Sequence, residues 1–206
     1  MPRPKGSRDR AFEERRRTLI GLARMHLSSP LGRKASWRDI AAACNVSIST
    51  MNHYFSDRSL LVAAILEQAA QEGAPFLALA SKPSGAFPRS IQDLVSKLSL
   101  GFSHGVLALQ VIGLGEGFAD PRVGCAYLGD HLEPVFGAIA KRLSQHVALG
   151  EMRNVDTHFA AIQLLSPLLI IHLHQTVLGG DQHFPKVIDD FCTEHTEAFV
   201  RANRAA

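Results

Sequence analysis

The chain is poor in the residues that staple small secreted folds or build metal centres. Of 206 residues only three are cysteine. Cys44, Cys125 and Cys192 are far apart, odd in number and form no CxxC pair, which argues against a disulfide framework or a zinc site and favours a reducing cytoplasm. Aromatics are scarce at 7%, with one tryptophan and two tyrosines. No run of alternating apolar and polar residues is bounded by hairpin turns, so no sheet is expected. No apolar run reaches membrane-spanning length: Ile162 to Leu173 is interrupted by Gln163, Ser166, Pro167 and His172 and reads as a buried helix. The basic start has no apolar stretch behind it, unlike a signal peptide. Catalytic signatures are also missing. There is no nucleophile elbow, no triad pattern and no HExxH pair. Gly113 to Gly117 is too short for a phosphate-cradling loop and no strand precedes it. His172 and His174 lie two apart and point to different faces of a helix, and Asp130, His131 and Glu133 fare no better. The expectation is a chain that is not an enzyme and carries no metal or cofactor.

What is present is a packed core and a lopsided charge. Hydrophobic residues make up 46% and charged residues 20%, which suits a globular protein. The net charge of +3 hides an asymmetry. Residues 1–58 hold 12 Lys and Arg against 5 Asp and Glu, whereas residues 59–206 hold 10 against 14. A basic end on an acidic remainder suits a polyanionic partner.

The pattern along the chain is helical. Residues 1–10, with two prolines and a glycine, read as a flexible basic arm. Phe12, Leu19, Ile20, Ala23 and Leu27 then form one apolar stripe. Ser36 followed by Asp39 is an approximate capping box for a short helix from Trp37. That helix stops at Cys44-Asn45, where asparagine tolerates the left-handed backbone of a sharp turn. Ser47 caps a second short helix through Tyr54, and Asp57 opens a longer one to about Glu72. Residues 73–88 read as a weakly structured connection. Further helices are expected at about 89–104, 106–117, 121–148, 155–178 and 184–203.

Helix, tight turn and helix over residues 36–55 form a helix-turn-helix. Its second helix needs an apolar inner side, supplied by Val46, Met51 and Phe55, and a polar outer side, supplied by Ser49, Thr50, Asn52 and His53. Short polar groups admit close approach to base edges. Tyr54, Arg38 and Arg58 can reach phosphates and set register.

An ordered set of residues resembles the TetR family of transcriptional regulators. It comprises Leu19 to Ala23, Ser36 to Ala41, Asn45 to Phe55 and Asp57 to Leu61, within a similarity covering about residues 12–70. The resemblance implies an all-α protein of about nine helices: a three-helix DNA-binding head over 11–57 and a larger effector-binding and dimerisation body over 58–206. It implies a sequence-specific, cytoplasmic, homodimeric repressor, away from the membrane. Its partners would be palindromic double-stranded operator DNA and a small apolar or amphipathic effector that releases it. An alternative keeps the head and makes the body a partner-binding scaffold. Within that frame the DNA-binding candidates are Ser36, Trp37, Arg38, Ser47, Ser49, Thr50, Asn52, His53, Tyr54 and Arg58. The effector-pocket candidates are Phe102, Val106, Ile112, Glu116, Phe118, Tyr127, Phe136, Gln163 and His172. The dimer candidates are Leu164, Leu168, Ile171, Val187, Phe191 and Phe199, on the last two long helices. The sequence also departs from the family pattern. Asn45 stands where glycine is frequent, Ser59 where Glu is common, and Cys44 in an alanine position. Asn52 stands where an aromatic phosphate contact is usual, which removes one backbone contact or trades it for a base contact.

Overall fold

A computed structural model describes residues 7–205. Its α-helical segments are α1 (Ser7–Leu27), α2 (Trp37–Ala43), α3 (Ile48–Phe55), α4 (Arg58–Ala80), α5 (Phe87–Gly101), α6 (Leu107–Gly117), α7 (Pro121–Tyr127), α8 (Glu133–Ala148), α9 (Thr157–His172), α10 (Gly180–His183) and α11 (Ile188–Asn203). Among the described residues there is no strand, only an isolated bridge between Met152 and Arg204. The fold is all-α, as the sequence implies.

The chain divides into two compact units. The first runs to Gln71 and includes Leu109–Leu128; the second is Glu72–Ala108 with the chain from Gly129 onward. This division by packing lies away from the 57/58 boundary expected from the motif, and α4 and α6 each pass from one unit into the other. In the first unit, Leu19, Ile20 and Ala23 of α1, Ile40 and Ala41 of α2, and Met51 and Phe55 of α3 are buried, as are Leu61, Val62 and Ile65 of α4. In the second, Phe87, Ile91 and Leu94 of α5, Ile139 and Leu143 of α8, and Leu164, Leu165 and Leu168 of α9 share one core with Phe199 of α11.

Three boundaries differ from expectation. Residues 7–10 belong to α1, with Asp9 in its first turn where a negative charge suits the helix dipole; the rest of the anticipated basic arm, residues 1–6, lies outside the described residues. Helix α4 continues through Gly73 and Pro75 to Ala80. Its last turns are rich in Ala and Leu, strong helix formers, and Gln71, whose carbonyl loses its partner at Pro75, is exposed to water. The C-terminal helix starts at Ile188 rather than 184. The break between α5 and α6 falls where expected, at Gly105, whose φ of +102° favours glycine.

By length and composition, Phe87–Gly117 and Thr157–Val177 are long enough to cross a bilayer, longer than the interrupted run suggested. The first is broken at Gly105, and the second buries His172 and Gln175, features suited to a protein core.

Two of the three glycines of residues 113–117, Gly113 and Gly117, have a packing role. A β-carbon on Gly113 would collide with the ring of Tyr127, and one on Gly117 would meet the Gly124 backbone at 3.2 Å. Glycine thus lets α6 and α7 approach closely. Tyr127 is 3% exposed, its hydroxyl donates to Gln110, and burial pushes its pKa up to about 12. Gly113→Ala should therefore cost about 1–3 kcal/mol by overpacking, read as a lower denaturation midpoint. Gly115→Ala, where nothing lies within 4 Å, is the control and should instead raise stability by about 0.5–1 kcal/mol.

Candidate nucleic-acid interface

The site is built from local rules. The Ser36 hydroxyl accepts from the Asp39 amide at 3.3 Å while the Asp39 carboxylate accepts from the Ser36 amide at 2.8 Å, the reciprocal capping box anticipated from the sequence. The Ser36 hydroxyl, which also donates to the carboxylate at 2.7 Å, and then the Ser36 amide hold the Asp39 carboxyl below its ordinary pKa. Asn45 takes φ = +54°, and the turn closes through Asn45 N–H donating to Ala42 and Val46 N–H to Ala41. Ser47 caps α3, accepting from Thr50 N–H at 3.1 Å.

Helix α3 has two sides. Met51 is 0% and Phe55 3% exposed, whereas Ser49, Asn52 and His53 are exposed. Two of the anticipated polar groups are engaged locally. The Thr50 and Ser47 hydroxyls lie 2.9 Å apart. The His53 ring lies edge-on to Phe12, with centroids 5.6 Å apart, and Tyr54 stacks on Phe12 at 4.6 Å. Phe12 was legible as an apolar stripe residue, but its link to α3 was not. The Trp37 indole N–H donates to Asn52 Oδ1 at 2.8 Å. Arg38 is exposed, as are Arg33 and Lys34 just before it.

Arg58 was expected to contact phosphate; the structure gives it another task. Its Nε and Nη2 donate to the two oxygens of Glu116 at 2.9 and 2.6 Å, and its Nη1 donates to the Ala35 carbonyl. A guanidinium spent on a fork-to-fork pair has little left for DNA. Next to it, Ser59 donates to Asp120 at 2.6 Å, and Arg122 bonds Asp120 at 2.8 Å and Asp57 at 3.1 Å. Arg122 and Ser59 together hold the Asp120 carboxyl far below its ordinary pKa. The Leu60 amide first, then Arg122, lowers that of Asp57. The start of α4 is thus tied to the end of α6 and the start of α7. Arg58→Ala should lower the stability of this unit by about 1–3 kcal/mol without a change in the salt slope of DNA binding. A reduced slope would restore the phosphate role.

The pocket candidates are divided between the two units. Ile112, Glu116, Phe118 and Tyr127 belong to the first unit and the other five to the second. Phe118 is 86% exposed, Gln163 is exposed, Glu116 is held by Arg58, and Phe102 and His172 are buried. The His172 imidazole lies 3.0 Å from Ser99 Oγ, and burial lowers its pKa. The second unit does hold a half-open groove of about 920 Å³, lined by Pro88, Arg89, Gln92, Val95, Ser96, Ser99, Leu100 and Ser103 on one side and Asp189, Cys192, Thr193, Thr196, Glu197 and Val200 on the other. None of the nine candidates lines it.

The dimer candidates need a similar correction. Leu164 and Leu168 are 0%, Phe199 6% and Ile171 9% exposed, so they fill the protomer's own core. Phe191 is half-buried against it; Val187 alone is freely exposed, at 62%. The outer side of α9 instead shows Phe159 and Ile170, 64% and 62% exposed.

Residues 94–204 match the family described as the AefR-like transcriptional repressor, C-terminal domain. The chain belongs to the TetR family of transcriptional regulators. As a member of that family it is a DNA-binding transcription factor and not an enzyme. Solved structures agree on the fold. A TetR-family regulator from Mesorhizobium loti superposes with a TM-score of 0.73 at 18% identity, covering 94% of this chain and 98% of that one. A transcriptional regulator from Saccharomonospora viridis in complex with choline gives 0.71 at 16%, covering 94% and 100%. SmeT, repressor of the multidrug efflux pump SmeDEF of Stenotrophomonas maltophilia, gives 0.64 at 15%, covering 92% and 90%. No curated protein sequence matches.

Proposed function

We propose that the protein is a cytoplasmic, homodimeric repressor that binds a palindromic operator through α3 and is released by a small-molecule effector. The observation that carries this reading is the two-sided α3, with Met51 and Phe55 sealed inside and Ser49, Asn52 and His53 facing out. Arg38, Arg33 and Lys34, exposed at and before the start of α2, are the cations placed to meet phosphates. One short helix buries too little surface for tight specific binding, so two heads on half-sites about one turn apart, ~34 Å, are required.

Dimerisation through the outer face of α9 is supported by its exposed Phe159 and Ile170. Phe159→Arg combined with Ile170→Glu should turn a dimer into a monomer by light scattering while the helical circular dichroism stays. A dimer that survives both changes would move the interface elsewhere.

Effector response is supported by the ties between α4 and the α6–α7 corner. A ligand that favours a different placement of α6 would pull on Glu116 and hence Arg58. A differential affinity of 2–3 kcal/mol lowers DNA affinity about thirty- to a hundred-fold. The S. viridis relative holds choline, which makes small amphipathic cations the first class to try. The test of the whole reading is a mobility shift with the DNA flanking the protein's own gene. A specific complex that weakens on addition of effector supports it. Absence of any specific complex refutes it.

A further inference from the structure

On the exposed polar side of α3, the orientation of one amide is set by a hydrogen bond from another helix. Asn52 and Trp37 are 15 residues apart, on different helices, and Trp37 Nε1 lies 2.8 Å from Asn52 Oδ1. An indole N–H is a donor with no acceptor function, so it must face the amide oxygen. Turning the amide over would set two donors against each other. The carbonyl end of Asn52 is therefore directed back at α2, and its NH2 is the group left to face a ligand. The neighbouring polar groups are committed differently: Thr50 to its cap and His53 to Phe12.

The usual pairing of asparagine with DNA is bidentate to adenine, accepting from N6 and donating to N7. That pairing needs the oxygen and nitrogen to be presented together. The oxygen keeps a second lone pair, but the indole fixes it toward α2 rather than beside the NH2 at a ligand, and that hold strengthens as a protein–DNA interface expels water from it. Resting on α3 as the DNA-contacting helix, we infer that Asn52 acts as a pure donor and selects an acceptor edge in the major groove, guanine above adenine, with Trp37 as the residue that sets this choice. Guanine offers N7 and O6 side by side, adenine offers only N7 beside a competing donor, and cytosine presents its own N4 donor.

The experiment selects duplexes bound from a library with a fully random 20-base-pair core, using the full-length protein and reading the preference at every position. Asn52→Ala locates the position by flattening it. At that position the wild type should favour guanine over adenine, on the order of ten-fold. Trp37→Phe keeps the apolar ring and removes the donor. It should shift the same position toward adenine while the other positions and the melting temperature stay. Asn52→Asp, which accepts from Trp37 but has no donor, should lose the guanine preference even if Trp37→Phe folds poorly. An adenine preference in the wild type, no position flattened by Asn52→Ala, or a Trp37→Phe profile identical to wild type would each overturn the inference and leave the DNA-binding reading standing. Enrichment of no sequence by the wild type would bring down both.

Discussion

Ser49→Glu should abolish operator binding while leaving the fold intact. Ser49 is the second residue of α3 and is exposed. A carboxylate in the first turn of a helix meets the positive end of its dipole and is neutral or favourable to folding. On the DNA side the same carboxylate faces a phosphate-lined groove, where a like charge costs roughly 2 kcal/mol per head. Two heads on one operator double that to about 4 kcal/mol, on the order of a thousand-fold in affinity. The measurement pairs an anisotropy titration with thermal unfolding. An unchanged or raised melting point with lost binding supports α3 as the contact helix. Full-strength binding by the variant would remove α3 from the interface.

Arg142→Ala should be among the most destabilising single changes in the second unit. Arg142 is 1% exposed, and its guanidinium donates to the carbonyls of Ala80 at 2.7 Å and Ser90 at 2.8 Å and to Ser90 Oγ at 3.1 Å. Asp93 lies 3.8 Å away. Burial lowers the arginine's pKa and Asp93 opposes that shift. Alanine would leave three carbonyls, those of Leu79, Ala80 and Ser90, with a lost donor and a cavity in place of a large side chain. Breaking a buried, hydrogen-bonded charge of this kind costs about 3–5 kcal/mol. Arg142→Lys should recover only part of the loss, because a single ammonium cannot span acceptors arranged for a fork. The check is the denaturant midpoint of the three proteins, and a loss below about 1 kcal/mol would contradict the assignment.

What was legible in the sequence is what short-range chemistry decides. The Ser36–Asp39 box, the left-handed Asn45, the Ser47 cap and the helix start at residue 121 each depend on neighbours within a few residues, and all appear as expected. What failed depends on partners far along the chain. Arg58 finds Glu116 58 residues away, and Arg142 finds acceptors 52–63 residues away. Neither pairing leaves a trace in local pattern. Helix α9 shows a second limit. It is apolar on nearly every side, so periodicity cannot say which leucines face the protomer's core and which residues face out. Leu164, Leu168 and Ile171 lie on the packed face. The same limit applies to the pocket candidates, since apolar density marks core as readily as cavity.

The account stands on DNA recognition by the outer face of α3. The most direct test is the salt dependence of affinity for a selected duplex and a scrambled one of equal length. The account predicts tight binding to the selected duplex, much weaker binding to the scrambled one, and affinities that fall steeply and linearly in log–log form with salt. Equal affinity for both duplexes, or no dependence on salt, would contradict it.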